Sequence, residues 1–203
     1  RIPLTLALFA ALLALVEAAE PKKGDKPQPD ATFFNGKDLA GWSGAVDNYE
    51  IVNGAIRCKK GKGGNLFTKK QYGDFVVRLE IKLPPAGNNG LAIRYPGKGN
   101  PAYAGMCELQ VLDTGYPGKL APYQYHGSAY GMVPAAKGYL RAAGEWNYQE
   151  VTVKGSTIKV ELNGSIILDT DHQFVASRCR CHQVIQVPHM KDIEHAGYKY
   201  PHH

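Results

Sequence analysis

Short runs in which apolar and polar residues alternate follow one another along this chain, each cut off by a turn dipeptide, and this spacing leaves little room for helix. Asn53-Gly54, Lys154-Gly155 and Asn163-Gly164 each separate two such runs. Asn-Gly in this setting is a strong hairpin signal, because the tight turns that suit twisted strands need positive φ at both central residues. The run over residues 75–83 puts Phe75, Val77, Leu79, Ile81 and Leu83 on one face and Arg78, Glu80 and Lys82 on the other, the two-residue period of a half-buried strand. Turn signals recur every eight to twelve residues or so, and no long stretch carries an amphipathic helical pattern. With 23 glycines and 12 tyrosines among 203 residues, the pattern predicts a β-sandwich or jelly roll and leaves a β-barrel open.

The two ends differ from this body. Arg1 precedes an apolar run over residues 4–16 that closes in small residues before Ala19. That predicts a signal peptide over 1–18 and a secreted or periplasmic protein; the run is too short for a stable membrane span. A Pro/Lys linker follows over 19–30, and the folded domain is expected over 31–171. The tail, 172–203, holds six of the seven histidines, two of the four cysteines and a single glycine, and its apolar residues keep no period of two. A net charge of +6, spread without a basic stripe, argues against nucleic acid as a partner. Cys58 and Cys107 read as small core residues rather than a bridge, and Cys179-Arg180-Cys181 is too tight for a zinc-ribbon spacing.

Within the body, Gly105 to Gly115 reads GMCELQVLDTG. Alternation sends Cys107, Leu109, Val111 and Asp113 to one face and Glu108, Gln110 and Leu112 to the other. The first set is apolar and is expected to face the core. The second holds two polar residues that form either a solvated pair or the floor of a sugar site. Arg94, which shares a face with Ala92, would stand beside Glu108 if these strands are neighbours, either as a binding group or as a plain cross-strand salt bridge. His126 is the one histidine of the body, in a loop rich in Tyr, Gly and Ser, with an ordinary pKa suited to proton transfer. Trp42 and Trp146 are expected in the core, and Asn35 and Asp38 in a turn.

Six segments, FFNGKDLAGW, YEIVNGAI, NLFTKKQYGDFVVRLEIKL, NNGLAIRYP, CELQVLDTG and GEWNYQEVTVKGSTIKVELNG, stand in this order, and together they resemble the 3-keto-disaccharide hydrolase domain over residues 32–171. The resemblance implies an all-β, concanavalin A-like jelly-roll sandwich of two antiparallel sheets. It also implies an exported enzyme that cleaves glycosidic bonds of 3-keto-disaccharides or 3-keto-glucosides, with carbohydrate as the partner. On that basis Glu108, His126 and Arg94 are the candidate catalytic residues, and Gln110, Tyr130, Tyr125 and Asn89 the candidate substrate-binding ones. An ordinary retaining glycosidase needs two flanking carboxylates, yet Asp113 has the wrong parity to join Glu108. A ketone at C3 acidifies the C2 proton, so one base suffices to expel the C1 substituent. Glu108 and His126 are too few ligands to specify a metal. The competing reading is a non-catalytic carbohydrate-binding module on the same fold. The tail lacks the glycine-rich turn and final strand usual in this family, so a frameshifted or truncated ending is expected to leave one sheet without its closing strand.

Overall fold

The computed structural model describes residues 34–95 and 107–170. The expected signal peptide and linker, and the tail in which a closing strand is expected to be lacking, lie outside the described residues. Ten strands follow in chain order: β1 Trp42–Gly44, β2 Tyr49–Val52, β3 Ala55–Cys58, β4 Leu66–Thr68, β5 Phe75–Lys82, β6 Asn88–Ile93, β7 Cys107–Leu112, β8 Trp146–Lys154, β9 Thr157–Leu162 and β10 Ser165–Thr170. All pairings are antiparallel. The largest sheet has the order β10-β9-β8-β5, and β1-β4, β2-β3 and β6-β7 form two-stranded ladders. The protein is an all-β jelly-roll sandwich. Among the described residues no helix is long and apolar enough to cross a membrane.

Local sequence accounts for these elements. At the β2–β3 hairpin Asn53 and Gly54 take φ of 50° and 76°, and at the β9–β10 hairpin Asn163 and Gly164 take 51° and 87°. In β5 the alternation holds along its length, with Val77, Leu79 and Ile81 buried and Val76, Arg78 and Glu80 exposed. Ile158, Val160 and Leu162 of β9 and Val151 and Val153 of β8 join them in one core with Leu91, Ile93, Leu109 and Val111 of the β6–β7 pair. Trp42, Cys58 and Cys107 are core residues. Trp146 departs from expectation. It is half-buried at the start of β8, with the Lys82 ammonium 5.8 Å from its ring centroid. Asn35 and Asp38 hold a turn as expected. Asn35 Oδ1 accepts the Lys37 and Asp38 amides, and Asp38 Oδ1 accepts the Ala40 amide.

Two departures from plain alternation shape the region around β7. In β10 a bulge between Ile166 and Leu168 turns both Ile167 and Leu168 inward, and Ile167 thereby reaches the loop after the His126 position. A Cβ on Gly127 would lie 2.2 Å from Ile167 Cδ1, and Gly127 has φ +80°. Glycine is therefore needed there twice over, for conformation and for space. Gly131 has a similar φ, +72°, with open space around it. Urea unfolding is expected to show Gly131→Ala losing about 1–2 kcal/mol from backbone strain alone. Gly127→Ala should lose roughly 2–4 kcal/mol, strain and overpacking together. Equal losses at the two sites would show that the Ile167 contact contributes nothing.

Candidate active site

β7 is paired along both edges. β6 runs along one, in a register that sets Asn88 opposite Leu112, Gly90 opposite Gln110 and Ala92 opposite Glu108. Along the other runs the segment after His126. Gly127 donates to the Gln110 carbonyl (2.7 Å), the Gln110 amide to the Ser128 carbonyl (2.9 Å) and the Tyr130 amide to the Glu108 carbonyl (2.8 Å). One face of the β6–β7 pair, with Leu91, Ile93, Cys107, Leu109 and Val111, belongs to the core. The opposite face carries Glu108, Gln110 and Leu112, with Asn88, Gly90 and Ala92 across from them.

That second face is not a solvated surface. Leu112 is buried, contrary to its expected outward position, and Gln110 is 5 % exposed. Leu112 donates its amide to His126 Nδ1 (3.2 Å), so the loop that covers β7 reaches over this end. Gln110 Nε2 donates to Asn88 Oδ1 (3.3 Å). Of the three β7 residues on this face only Glu108 is half-buried, and Asn88 and Gly90 of β6 are half-buried beside it. Burial of Glu108 pushes its carboxyl up to about 7, since the charged form loses hydration with burial. A carboxyl poised there changes state near neutral pH, as a general base must.

The other expected site residues are placed differently. His126 is buried, with both ring nitrogens engaged: Nδ1 takes the Leu112 amide, so Nε2 carries the proton and donates to Gln149 Oε1 at 3.0 Å. Burial pulls its pKa down to about 4. This imidazole is a neutral, buried strut between β7 and β8. Arg94 does not continue the alternation of β6, because its φ of +59° turns the chain out of the strand. Its guanidinium donates to the Gly155 carbonyl, in the turn between β8 and β9, instead of standing over Glu108. Asn89 lies opposite Val111, on the face away from Glu108, and its Oδ1 accepts the Gly90 amide (2.7 Å). The asparagine on the Glu108 face is Asn88, which alternation from Ala92 would have identified had the strand been extended two residues back. Asp113 is buried and spent on structure. Its Oδ2 accepts the Ala86 amide (2.8 Å) where the β5–β6 connection takes a positive φ.

Two tyrosines border the site from the covering segment. Tyr130 follows its backbone bond to Glu108 with a side chain 39 % exposed, and its hydroxyl accepts Gln124 Nε2 (2.8 Å). Tyr125 has the Lys137 ammonium 4.0 Å from its ring centroid, so one face of that ring is occupied. Among the described residues no group of three or more His, Cys, Asp or Glu side chains is placed to hold a metal ion.

Comparison with known proteins agrees with this architecture. Residues 30–178 match the model of the 3-keto-alpha-glucoside-1,2-lyase-like domain. A 3-keto-disaccharide hydrolase of Bacteroides thetaiotaomicron is 30 % identical over 165 residues, which are 68 % of this chain and 57 % of that protein. The chain thus spans little more than half the length of that relative. Crystal structures of two proteins from Parabacteroides distasonis ATCC 8503, provisionally named glycosyl hydrolases, share the fold. Their TM-scores are 0.62 and 0.64 at 21 % and 20 % identity, over 77 % and 78 % of this chain and 85 % and 89 % of theirs.

The two shifted groups pull stability in opposite directions with pH. His126, lowered to about 4, contributes stability that is whole above the ordinary histidine pKa of ~6.5 and lost as pH falls toward 4. Glu108, raised to about 7, contributes stability that is whole below its ordinary value of ~4.3 and lost as pH rises through 7. Urea titrations at several pH values should therefore show Glu108→Gln gaining on wild type by roughly 1–3 kcal/mol between pH 4.5 and 7.5. His126→Ala should unfold more easily by about 2–4 kcal/mol at pH 7, from lost packing and stranded polar partners. A His126→Ala protein of normal stability but without turnover would restore the catalytic reading of that residue.

Proposed function

The chain belongs to the 3-keto-alpha-glucoside-1,2-lyase-like domain family, and from that premise we propose that it is an exported enzyme cleaving the glycosidic bond of 3-keto-disaccharides or 3-keto-glucosides. The observation that carries the reading is Glu108, a half-buried carboxyl held near 7 by burial on a strand face that has no second carboxylate among the described residues of β6 and β7. Asp113, its nearest acidic neighbour in sequence, is committed to the β5–β6 connection, so the two-carboxylate route of ordinary glycosidases has no support here.

A single base fits a 3-keto sugar. Glu108 takes the C2 proton, which the C3 ketone has acidified; the electron pair forms the C1–C2 double bond, and the C1–O bond breaks to release the aglycone. The proton now on Glu108 can return to the leaving oxygen. Addition of water across C1–C2 then gives the free 3-keto sugar. Elimination is the chemistry of a 1,2-lyase and the sum of the two steps is a hydrolysis, so both names found among similar proteins suit one route. The Tyr130 hydroxyl, held by Gln124, is the group of the bordering segment that could meet a sugar oxygen. Arg94 and His126 have no part in this reading.

Tyr123 and Tyr130, both about 40 % exposed beside the site, would equally serve a non-catalytic carbohydrate-binding module. The discriminating experiment is incubation of the purified protein with 3-keto-glucosides and with their unoxidised parents, following aglycone release. Release from the keto sugars alone is expected; binding without release would establish the module. Glu108→Gln is expected to lower the rate by about 10²–10⁴, and in wild type kcat/KM should rise with pH through about 7, because the base acts deprotonated. Near wild-type turnover in Glu108→Gln removes the assignment. Intact-mass measurement of the protein recovered from the periplasm or medium should place its N-terminus at Ala19, and retention of Arg1 would overturn export.

A further inference from the structure

Gly90 lies in the interior of β6, opposite Gln110 and two residues from Ala92, the partner of Glu108. A Cβ built on it would stand 1.7 Å from Glu108 Oε1, 2.4 Å from Cδ and 2.6 Å from Cγ. The end of the Glu108 side chain therefore rests on bare backbone. We propose that Gly90 is a positioning residue for Glu108, its missing side chain forming the seat that holds the carboxyl in place. The inference rests on Glu108 being the base and adds the feature that fixes where the base works.

Backbone conformation does not explain this glycine. Gly90 is not among the residues with positive φ, so an alanine there carries no left-handed strain, and glycine inside a strand is otherwise unfavourable and often marks a close approach. The obstructing atoms are also of a particular kind. At Gly44 an added Cβ would meet the Asn65 carbonyl at 2.3 Å, which only a backbone shift relieves. At Gly90 all three obstructing atoms belong to the movable end of one side chain. On the same face Gln110 and Asn88 are bonded to each other, and Ala92 is buried opposite Glu108, so a displaced carboxyl is driven outward toward water. There the burial that holds it near 7 is lost.

The test is Gly90→Ala in the full chain, read by carboxyl-carbon NMR titration of labelled glutamate, by thermal unfolding, and by kcat and KM on a 3-keto-glucoside. The Glu108 midpoint is expected to fall by about one unit or more, while kcat drops at least ~10-fold and KM stays within about threefold, as for a misplaced catalytic group. A folded Gly90→Ala protein with an unmoved midpoint and unchanged kcat overturns the proposal. If Gly90→Ala fails to fold, the double variant Gly90→Ala with Glu108→Ala should recover folding, because a side chain that ends at Cβ removes all three obstructing atoms. Failure to recover shows that the backbone needs this glycine, and overturns the proposal too. The titration needs no turnover, so it tests the seat even if Glu108→Gln proves active and the base assignment falls.

Discussion

The neutral imidazole of His126 is the joint on which the site depends. One of its nitrogens accepts the Leu112 amide of β7 and the other donates to Gln149 of β8. Each bond answers a buried polar group that would otherwise be costly, since an unmade hydrogen bond in the interior forfeits the full hydration of the group. With His126 pinned, the residues that follow are delivered along the second edge of β7, where three backbone bonds carry them to Glu108. The same segment closes the second edge of β7 beside Glu108 and Gln110. A residue well suited by type to proton transfer thus fixes the strand bearing the carboxyl to which the proposed function gives that task.

The arrangement also divides labour among the acids. Glu108 and Asp113 lie on one short stretch, yet their surroundings separate them. Asp113 accepts the backbone amide of Ala86 and is tied to the β5–β6 connection. Glu108 is held over a glycine, where burial favours the proton. One carboxylate is bound into architecture and the other is kept available. That asymmetry is what a single-base elimination asks for, and it differs from the matched pair of a retaining glycosidase.

The strands were legible because their causes are local. The alternation of β5 and the Asn-Gly turns depend on neighbours in sequence, and both stand in the structure as read. The bond of the Leu112 amide was not legible, because the ring that accepts it arrives from fourteen residues later. Arg94 escaped alternation through one positive φ at a non-glycine residue, which nothing in the run GLAIRYP announces. Asn88 and Asn89 are adjacent and identical in chemistry, so assigning one of them to the Glu108 face required knowing that the strand begins at Asn88. The hydrogen bonds of His126 were not legible either. Its residue type suggested chemistry, and only the positions of Leu112 and Gln149 turn it into a strut.

Cys58 and Cys107 are buried at the ends of two separate ladders, β2–β3 and β6–β7. A thiol shut away from water meets a labelling reagent only when its surroundings open, and local openings in a folded protein range from nearly free to as costly as global unfolding. The protein therefore carries two native reporters of its own breathing, one in the β2–β3 hairpin and one immediately before Glu108. Labelling kinetics resolved by peptide can time the two separately, and so distinguish a β7 that is rigid in its own right from one that merely shares the stability of the whole.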